Sequence, residues 1–249
     1  MWITFWRWAN QHPYVVDCLM TQVAIFVALI LFNAPFLMLD LIGCPKSLLK
    51  YKVQQTMNVP VKLEHVTKTL KVVLFNQLVV GGFFINFLHI LRRLRGCEMT
   101  FPSLPSAPTF LWQVFIILVV EEMGFYYLHR FFHTSFMYKK FHKRHHQWTA
   151  PISLTTTYCH PLEHLLVNMM PIGFGPLLVG ANSTLTLMWY VAGFFVSTCH
   201  HAGYDFPFLP SPQFHDFHHE KFVECFGVLH ILDYLHGTDI RFRRRLEEQ

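Results

Sequence analysis

Long apolar stretches separated by short polar segments recur along the chain, and they predict helices that cross a membrane. The first covers residues 19–42, and two more cover residues 72–91 and 110–128. A helix of about 20 apolar residues crosses the hydrocarbon core of a bilayer, so each stretch is long enough to span it. The third carries Glu121 and Glu122 near its end, and carboxyl groups within a span mark functional sites.

A fourth apolar region, residues 165–199, is interrupted by prolines and glycines between positions 171 and 176. Each half would form a helix of roughly 24 Å, which is short for a complete crossing. We therefore expect a helical hairpin that enters the membrane and returns. The predicted fold class is all-α integral membrane, with about four transmembrane helices including this short hairpin. An even number of passes keeps the polar segments before and after the hairpin on one face of the membrane.

Composition and charge are typical of a membrane protein. Hydrophobic residues make up 53% of the chain and charged residues only 14%, against roughly 25% charged residues in soluble domains. The net charge of +5 comes from basic clusters beside apolar helices, which indicates contact with lipid headgroups and no nucleic-acid partner. Six cysteines without a CxxC motif are typical of small buried residues in a reducing compartment.

The distribution of basic residues predicts the orientation in the membrane. Residues 43–70 carry five lysines, whereas the loop between the second and third apolar stretches carries three arginines. Lysine and arginine are enriched in cytoplasmic loops, so the lysine-rich loop is expected on the cytoplasmic side. The polar segments that follow the third stretch are then cytoplasmic too.

Histidine placement is the most specific polar signal in the chain. HRFFH, HKRHH, HPLEH and HDFHH occupy residues 129–133, 142–146, 160–164 and 215–219. Residues at i, i+3 and i+4 share a helix face, so we expect each HxxHH to bring three imidazoles to one point and each HxxxH to bring two. The ten candidate ligands are His129, His133, His142, His145, His146, His160, His164, His215, His218 and His219.

A cluster of so many imidazoles predicts bound metal. Each neutral ring has one donor and one acceptor nitrogen, so crowded rings would set acceptors against acceptors, and protonation would accumulate positive charge. Ten ligands exceed the needs of one ion, and we therefore predict a di-metal centre in a cytoplasmic, histidine-rich helical cap. Imidazole suits zinc, copper, iron and nickel alike, which leaves the metal open. Isolated histidines such as His12 are expected to be ordinary polar side chains.

Four carboxylates near these motifs are candidates to orient the imidazoles. Metal-bound histidines usually donate their second ring N–H to a carboxylate or a carbonyl group. The candidates are Glu122, Glu163, Asp216 and Asp233. Beyond the metal ligands, the sequence identifies no catalytic residue.

The histidine motifs lie just past the ends of apolar helices, which predicts a metal site at the membrane surface that opens toward lipid. Two irons there would supply oxidation of an unactivated C–H bond by O2, a reaction that side chains alone do not provide. No flavin or nicotinamide fingerprint is present, so electrons are expected from a separate protein. This hypothesis makes the chain an oxygenase that acts on a membrane lipid.

Two other classes of protein compete with the oxygenase. A non-catalytic lipid-binding or scaffold protein would keep zinc for structure, with four ligands closing each coordination sphere, whereas a catalytic ion keeps one position open. A metal transporter would carry its sites near the middle of the membrane, but these motifs lie at the helix ends. The sequence leaves open the oligomeric state, the exact lipid, and the choice between hydroxylation and desaturation.

Taken in order, HRFFH, HKRHH, HPLEH, HHAGYDFPFLPS and HDFHH resemble the sterol desaturase/fatty acid hydroxylase superfamily of integral membrane di-iron oxygenases, which includes the C4-methylsterol oxidases. The resemblance covers roughly residues 125–239. It implies two irons held entirely by histidines, with zinc as an alternative in a purified preparation, and it adds His201 of HHAGY as a ligand, leaving the role of His200 open.

The same resemblance implies a function, a location and a division of the chain. It implies oxidation of a sterol-like lipid in the endoplasmic reticulum membrane, with electrons from NAD(P)H relayed by a carrier such as cytochrome b5. We accordingly expect membrane spans and loops over residues 1–110, the di-iron domain over residues 111–240, and a basic C-terminal tail over residues 241–249.

Overall fold

The structure is a computed structural model that describes residues 2–248, the side chain of Trp2 excepted. Within that range the chain is helical, and an isolated backbone bridge between Lys52 and Tyr204 belongs to no strand. The all-α prediction is therefore confirmed. Residues 1 and 249, at the outer ends of the first and third predicted regions, lie outside the described range.

Four helical segments in the described part of the chain are long and apolar enough to cross a membrane. They are Val15–Ile42, Leu63–Arg95, Ala107–Phe132 and Pro161–Val179. We call the first three spans one, two and three. Each contains one of the predicted apolar stretches and extends beyond it, because the helical hydrogen bonds continue into polar sequence at the membrane surface. The predicted number of spans is thus confirmed, although their predicted lengths were too short.

Spans one and two and the segment Pro161–Val179 each contain a short π-helical segment, whereas span three is one continuous α-helix. Shorter helices connect them. The α-helices are Trp2–Asn10, Thr21–Ile42, Lys46–Leu49, Leu63–Phe75, Gly81–Arg95, Ala107–Phe132, Ser135–Lys140, Pro161–Glu163, Met170–Val179, Ser183–His201, Gln213–Lys221, Ile231–His236 and Ile240–Glu247. The π-helical segments are Val15–Met20, Asn76–Val80 and His164–Met169. The 3-10 helices are His142–Gln147 and Ser153–Thr157.

The fourth apolar region forms the expected helical hairpin. Its first arm, Pro161–Val179, has 19 residues and is therefore roughly 28 Å long; its return arm is Ser183–His201. The chain reverses at Gly180, whose φ of 63° lies in the left-handed region that glycine adopts without a steric penalty. Asn182 then caps the return arm by accepting a hydrogen bond from the Leu185 N–H at 2.9 Å.

The glycines of the first arm serve packing and do not break the helix. A Cβ atom on Gly175 would lie 3.2 Å from the Cα atom of Ile117 in span three, and one on Gly173 would lie 2.6 Å from the Phe84 ring in span two. Small residues allow such close approach between membrane helices. The interruption seen in the sequence is therefore a contact surface, and the turn comes later, at residues 180–182.

The loop between spans one and two packs against the segments that carry the histidine motifs. Gln54 donates from Nε2 to the Thr149 carbonyl oxygen at 2.9 Å and to Asp216 Oδ1 at 2.8 Å. Asn58 donates from Nδ2 to the Ala150 carbonyl oxygen at 2.8 Å. The lysine-rich loop and the histidine motifs therefore share one end of the molecule, which we call the histidine end.

A buried ion pair fastens the opposite end. The Arg92 side chain lies 3.1 Å from Asp17 Oδ2, and Ser183 Oγ donates to Oδ1 of the same carboxylate at 2.8 Å. These contacts join span one, span two and the return arm of the hairpin. The bundle is thus closed at both ends by polar contacts, with its apolar packing between them.

Candidate metal centre

Nine of the described histidines form two groups at the histidine end. Within each group, one ring nitrogen of every member lies within 4.8 Å of those of the others. The five-histidine group consists of His129, His133, His142, His146 and His218. The four-histidine group consists of His145, His201, His215 and His219. The HKRHH and HDFHH segments therefore meet in space, which is consistent with the even number of membrane passes predicted between them.

Each HxxHH motif is divided between the two groups, so the expectation that it serves one point is wrong. Consecutive residues of a helix point about 100–120° apart, and this separates His145 from His146. His146 faces the five-histidine group and His145 the four-histidine group. In the helix Gln213–Lys221, His218 and His219 are separated in the same way. The adjacent histidines thereby hold the two groups side by side.

Two membrane helices supply the other ligand positions. His129 lies in the last turn of span three, and His133 follows that helix directly. His201 is the final residue of the return arm. The two groups therefore assemble where the helices leave the apolar part of the bundle.

The Nε2 atoms within each group approach one another closely. In the five-histidine group, Nε2 of His142 lies 2.8 Å from that of His133 and 2.9 Å from that of His146. In the four-histidine group, Nε2 of His215 lies 2.9 Å from that of His201. A metal ion binds imidazole nitrogen at about 2.1 Å, so nitrogens this close to one another are near enough to be ligands of a single ion.

The other ring nitrogen, Nδ1, points outward and in five of these histidines contacts a backbone carbonyl oxygen. The pairs are His129 with Phe226 at 2.8 Å, His145 with Tyr158 at 3.3 Å, His201 with Ser197 at 2.8 Å, His218 with Glu224 at 2.6 Å and His219 with Trp148 at 2.9 Å. A carbonyl oxygen only accepts, so in these rings Nδ1 carries the hydrogen and Nε2 the free lone pair.

These tautomers make the site fit metal ions. Where both rings have a free lone pair on Nε2, as in His145 and His201 at 3.4 Å, the two nitrogens are both acceptors and form no hydrogen bond. A cation between them would accept both lone pairs, so that both nitrogens become ligands. The donor set, all imidazole nitrogen at the spacing of ligands to one ion, fits two metal ions, one in each group.

Burial keeps these imidazoles neutral. The pKa of His218 and of His219 lies well below the usual 6.5 because the rings are removed from water, and the neighbouring imidazoles lower it further. The same causes depress the pKa of His142. A neutral imidazole is the form that binds a metal ion, so the rings are ready to do so at physiological pH.

His160 and His164, which the HPLEH motif predicted as ligands, lie outside both groups. His160 is the N-cap of the first hairpin arm, and its Nδ1 accepts a hydrogen bond from the Leu162 N–H at 3.1 Å. Its backbone is extended, so it does not share a helix face with His164. The His164 ring instead has Nδ1 3.3 Å from Asn168 Nδ2.

Among the four predicted carboxylates, Glu163 contacts an imidazole directly. Its Oε1 lies 2.7 Å from His142 Nδ1, within hydrogen-bond distance of that ring. Asp216 accepts from Gln54 instead, at 2.8 Å. It thus fastens the lysine-rich loop to the histidine end.

Glu122 and Asp233 act on the site through a loop. Glu122 accepts from the Leu229 N–H at 2.8 Å, and Asp233 accepts from the Gly227 N–H at 2.6 Å. The segment they hold includes Phe226, whose carbonyl oxygen contacts His129. Sequence reasoning missed such carbonyl partners because every residue has one and only the fold selects among them.

An apolar cavity of about 260 Å³ extends from the four-histidine group into the helical bundle. His201 and His215 form part of its wall at one end. Spans two and three and both hairpin arms supply much of the remainder, with Leu88, Phe125 and Ile172 among the lining residues. The cavity connects the membrane part of the protein with one of the two histidine groups, and its surface suits an apolar molecule.

Residues 114–238 match the fatty acid hydroxylase family. Fatty acid hydroxylase domain-containing protein 2 of Homo sapiens is 41% identical over 217 residues, which cover 86% of this chain and 64% of that protein. Methylsterol monooxygenase 2-2 of Arabidopsis thaliana is 30% identical over 231 residues, which cover 86% of this chain and 82% of that protein. No solved structure matches the chain.

The matched regions can be compared with the positions of the two histidine groups. Fatty acid hydroxylase domain-containing protein 2 of Macaca fascicularis is also 41% identical, over 215 residues, and the chain spans only 64% of its length. The region that matches the family begins inside span three and ends beyond the last histidine motif. It therefore contains both histidine groups.

Proposed function

Because this chain belongs to the fatty acid hydroxylase family, as its histidine motifs predicted, we propose that it is a membrane oxidoreductase that hydroxylates a sterol-like lipid. Relatives named methylsterol monooxygenase support a substrate of that class. Two irons, held by the five- and four-histidine groups, would supply oxidation of an unactivated C–H bond by O2.

The observation that carries this proposal is the apolar cavity that ends at the four-histidine group. Its wall contains His201 and His215 of that group, so a lipid inside it would bring one of its carbon atoms to this end of the metal centre. The apolar walls exclude water from the reacting atoms, which strengthens every electrostatic interaction there. We therefore assign the site of oxidation to the four-histidine side.

The chain's own residues prepare the site before any substrate binds. Backbone carbonyl oxygens fix the tautomer of His201 and His219, and Glu163 fixes that of His142. Such outer partners hold the ligand rings in position and raise their basicity. The protein thus orients the ligand nitrogens, while the cavity orients the lipid.

Electrons would reach the site from a separate carrier at the histidine end. We propose a carrier such as cytochrome b5, reduced by NAD(P)H, on the cytoplasmic side of the endoplasmic reticulum membrane. Lys139, Lys143 and Arg144 are exposed beside the ligand-bearing segment that starts at His142. Their positive charge favours the approach of an acidic carrier.

The cavity favours an enzyme over a lipid-binding or scaffold protein with structural metals. A structural ion is fully surrounded by protein ligands, whereas a catalytic ion keeps a position open. His201 and His215 of the four-histidine group line the cavity, which supports an open position on that side.

Purified full-length protein would test the proposal. We expect about two iron ions per chain and O2-dependent formation of a hydroxylated product from a 4-methylsterol when NAD(P)H, a reductase and cytochrome b5 are supplied. Iron-free protein should form no product, and iron should restore it. Turnover that is unchanged after complete removal of iron, or iron-loaded protein that oxidises no sterol or acyl lipid, would reject the proposal.

A further inference from the structure

The cavity ends at Trp189 on the return arm of the hairpin. Residues of this arm line the cavity from Trp189 to His201, whereas none of its described residues 183–188 belongs to the wall. Trp189 also packs against a buried apolar cluster that includes Ile117 and Leu185, neither of which lines the cavity. Trp189 therefore lies between the cavity and the packed interior near the hairpin turn.

A hydrogen bond between the two hairpin arms holds Trp189 in place. Pro176 lies inside the helix of the first arm and has no N–H, so the Ile172 carbonyl oxygen, one turn earlier, lacks its usual helical donor. Trp189 supplies that donor from Nε1 at 3.1 Å. A carbonyl group at membrane depth needs such a partner, and the bond therefore fixes the indole against the first arm.

The packing around this hydrogen bond is tight. A Cβ atom on Gly193, one turn after Trp189, would lie only 2.6 Å from the Cδ1 atom of Ile172. Ile172, Trp189 and Gly193 all line the cavity, so the two arms are in close contact where the cavity ends. Because the indole is held by a hydrogen bond and by packing, a ligand does not displace it without cost.

The closed end limits the length available to a ligand. Trp189 and His201 belong to one helix, and they lie roughly 18 Å apart along its axis. Gly193 and Ser197, at i+4 and i+8, share the helix face of Trp189, and both are small. The indole is therefore the first large group on this face that a molecule meets as it extends from the four-histidine group toward the hairpin turn.

We propose that Trp189 is a specificity-determining residue, which sets the greatest length of lipid that the cavity accepts by blocking the end remote from the four-histidine group. The inference rests on the proposed function only in taking the cavity as the substrate site. It adds a limit on molecular length to the proposed chemical class. A sterol-like lipid that reaches the four-histidine group is accepted only if its tail ends before the indole of Trp189.

Equilibrium binding tests this limit without turnover. Purified full-length protein in nanodiscs, without reductant, is titrated with three sterols that share one rigid ring system: androstanol, which has no side chain, cholestanol, and a cholestanol whose side chain is longer by several carbon atoms. Affinity is expressed per mole fraction in the bilayer, so the hydrophobic gain that bilayer and cavity both provide cancels. We expect the lengthened sterol to bind at least about fivefold more weakly than cholestanol, the lower end of the cost of overpacking.

Trp189→Ala should remove the limit, because the space of the indole becomes available to the side chain of the sterol. We expect the lengthened sterol to bind this variant at least as tightly as cholestanol does, and Trp189→Phe to give an intermediate ratio of the two affinities. Trp112→Ala is the matched control, because Trp112 is 49% exposed on span three and does not line the cavity. This variant should keep the wild-type ratio.

The ratio of affinities distinguishes length selection from a general loss of structure, which would weaken the binding of all three sterols together. A wild-type protein that binds the lengthened sterol as tightly as cholestanol, or an unchanged ratio in Trp189→Ala, overturns the assignment. If Trp189→Ala does not fold, photolabelling of the wild-type protein decides. Cholestanol with a diazirine at the end of its side chain should label Trp189 or Ile172, and labelling elsewhere alone overturns the assignment. Length selection in a protein that oxidises nothing overturns only the oxygenase proposal.

Discussion

At the scale of single residues, adjacent histidines explain how two short segments supply two groups. His145 and His146, and likewise His218 and His219, diverge because consecutive helix positions point in different directions. Each pair therefore contributes one ring to each group. A single substitution in a pair should remove a ligand from one group and leave the other group complete.

His218→Ala tests this separation. We expect metal content to fall from about two ions per chain toward one, and activity to fall by more than the roughly 10–100-fold that the loss of an outer partner costs. Metal analysis and turnover of the purified variant provide the measurement. His12→Ala is the control, because His12 is exposed and belongs to neither group. Equal losses in both variants would disprove the assignment of His218.

Glu163 is the carboxylate whose effect on the site is direct, since it contacts His142 Nδ1 at 2.7 Å. Glu163→Gln keeps the shape and removes the charge that supports the ring. We expect about a tenfold loss of metal affinity, the lower end of the usual range for such partners, measured by competition with a chelator. Glu220→Gln is the matched control, because Glu220 pairs with Arg245 at 2.7 Å. If metal affinity drops equally in both variants, the loss of a negative charge near the site explains the effect, and the contact between Glu163 and His142 does not.

At the scale of elements, the site depends on helices that end at the same level and on a loop held from within the membrane. Span three has His129 in its last turn, and the return arm ends at His201. The loop that leads into the helix Ile231–His236 contributes the carbonyl partner of His129, from Phe226. Its position is set by Glu122, which accepts from three backbone N–H groups of that loop.

Glu122→Gln should therefore loosen the loop. A glutamine offers one acceptor oxygen where the carboxylate offers two, so at least one loop N–H loses its partner, at a cost of about 1–3 kcal/mol. Hydrogen exchange should show the amides of residues 228–232 exchanging roughly tenfold faster or more. Glu121→Gln is the control, because Glu121 directly precedes Glu122 in the chain but does not bind the loop. Unchanged amide exchange rates in Glu122→Gln would show that Glu122 does not hold this segment in place.

At the scale of the whole molecule, the two ends of the bundle are chemically different. The lysine-rich loop and both histidine groups lie at one end, where Gln54 and Asn58 fasten the loop. The hairpin turn lies at the other end, where Asn182 donates from Nδ2 to the Ser103 carbonyl oxygen at 2.9 Å. Because loops rich in lysine and arginine stay in the cytoplasm, we expect the histidine end to face it.

Cysteine labelling in sealed microsomes tests that orientation. In a Cys97→Ser background, Lys143→Cys should react with a membrane-impermeant maleimide, because Lys143 is exposed at the histidine end. Ser106→Cys, at the start of span three, should react only after the membrane is permeabilised. The reverse pattern would reject the cytoplasmic orientation, and labelling of both in sealed vesicles would reject the single crossing by span three that separates them.

Much of the fold and most of the grouped histidines could be predicted from local pattern. Apolar length predicted the spans and the hairpin, because length depends on the chain's own composition. The position of the turn was wrong: it lies at residues 180–182 and not at the prolines and glycines of residues 171–176. The predicted grouping of the histidines was wrong, because each HxxHH motif serves both groups. The position of a residue along a helix fixes the direction of its side chain, but the other helices decide which histidines it lies next to.

By itself the sequence determined an all-helical membrane chain with four spans, membership of the fatty acid hydroxylase family, and a set of histidines that includes every member of both groups. Tertiary structure alone decided that each HxxHH serves two groups, that His160 becomes a helix cap, and that His164 lines a cavity. It also selected the carbonyl oxygens that hold the rings. Helix formation depends on neighbours within a few residues, whereas a metal centre depends on directions and distances between segments far apart in the chain.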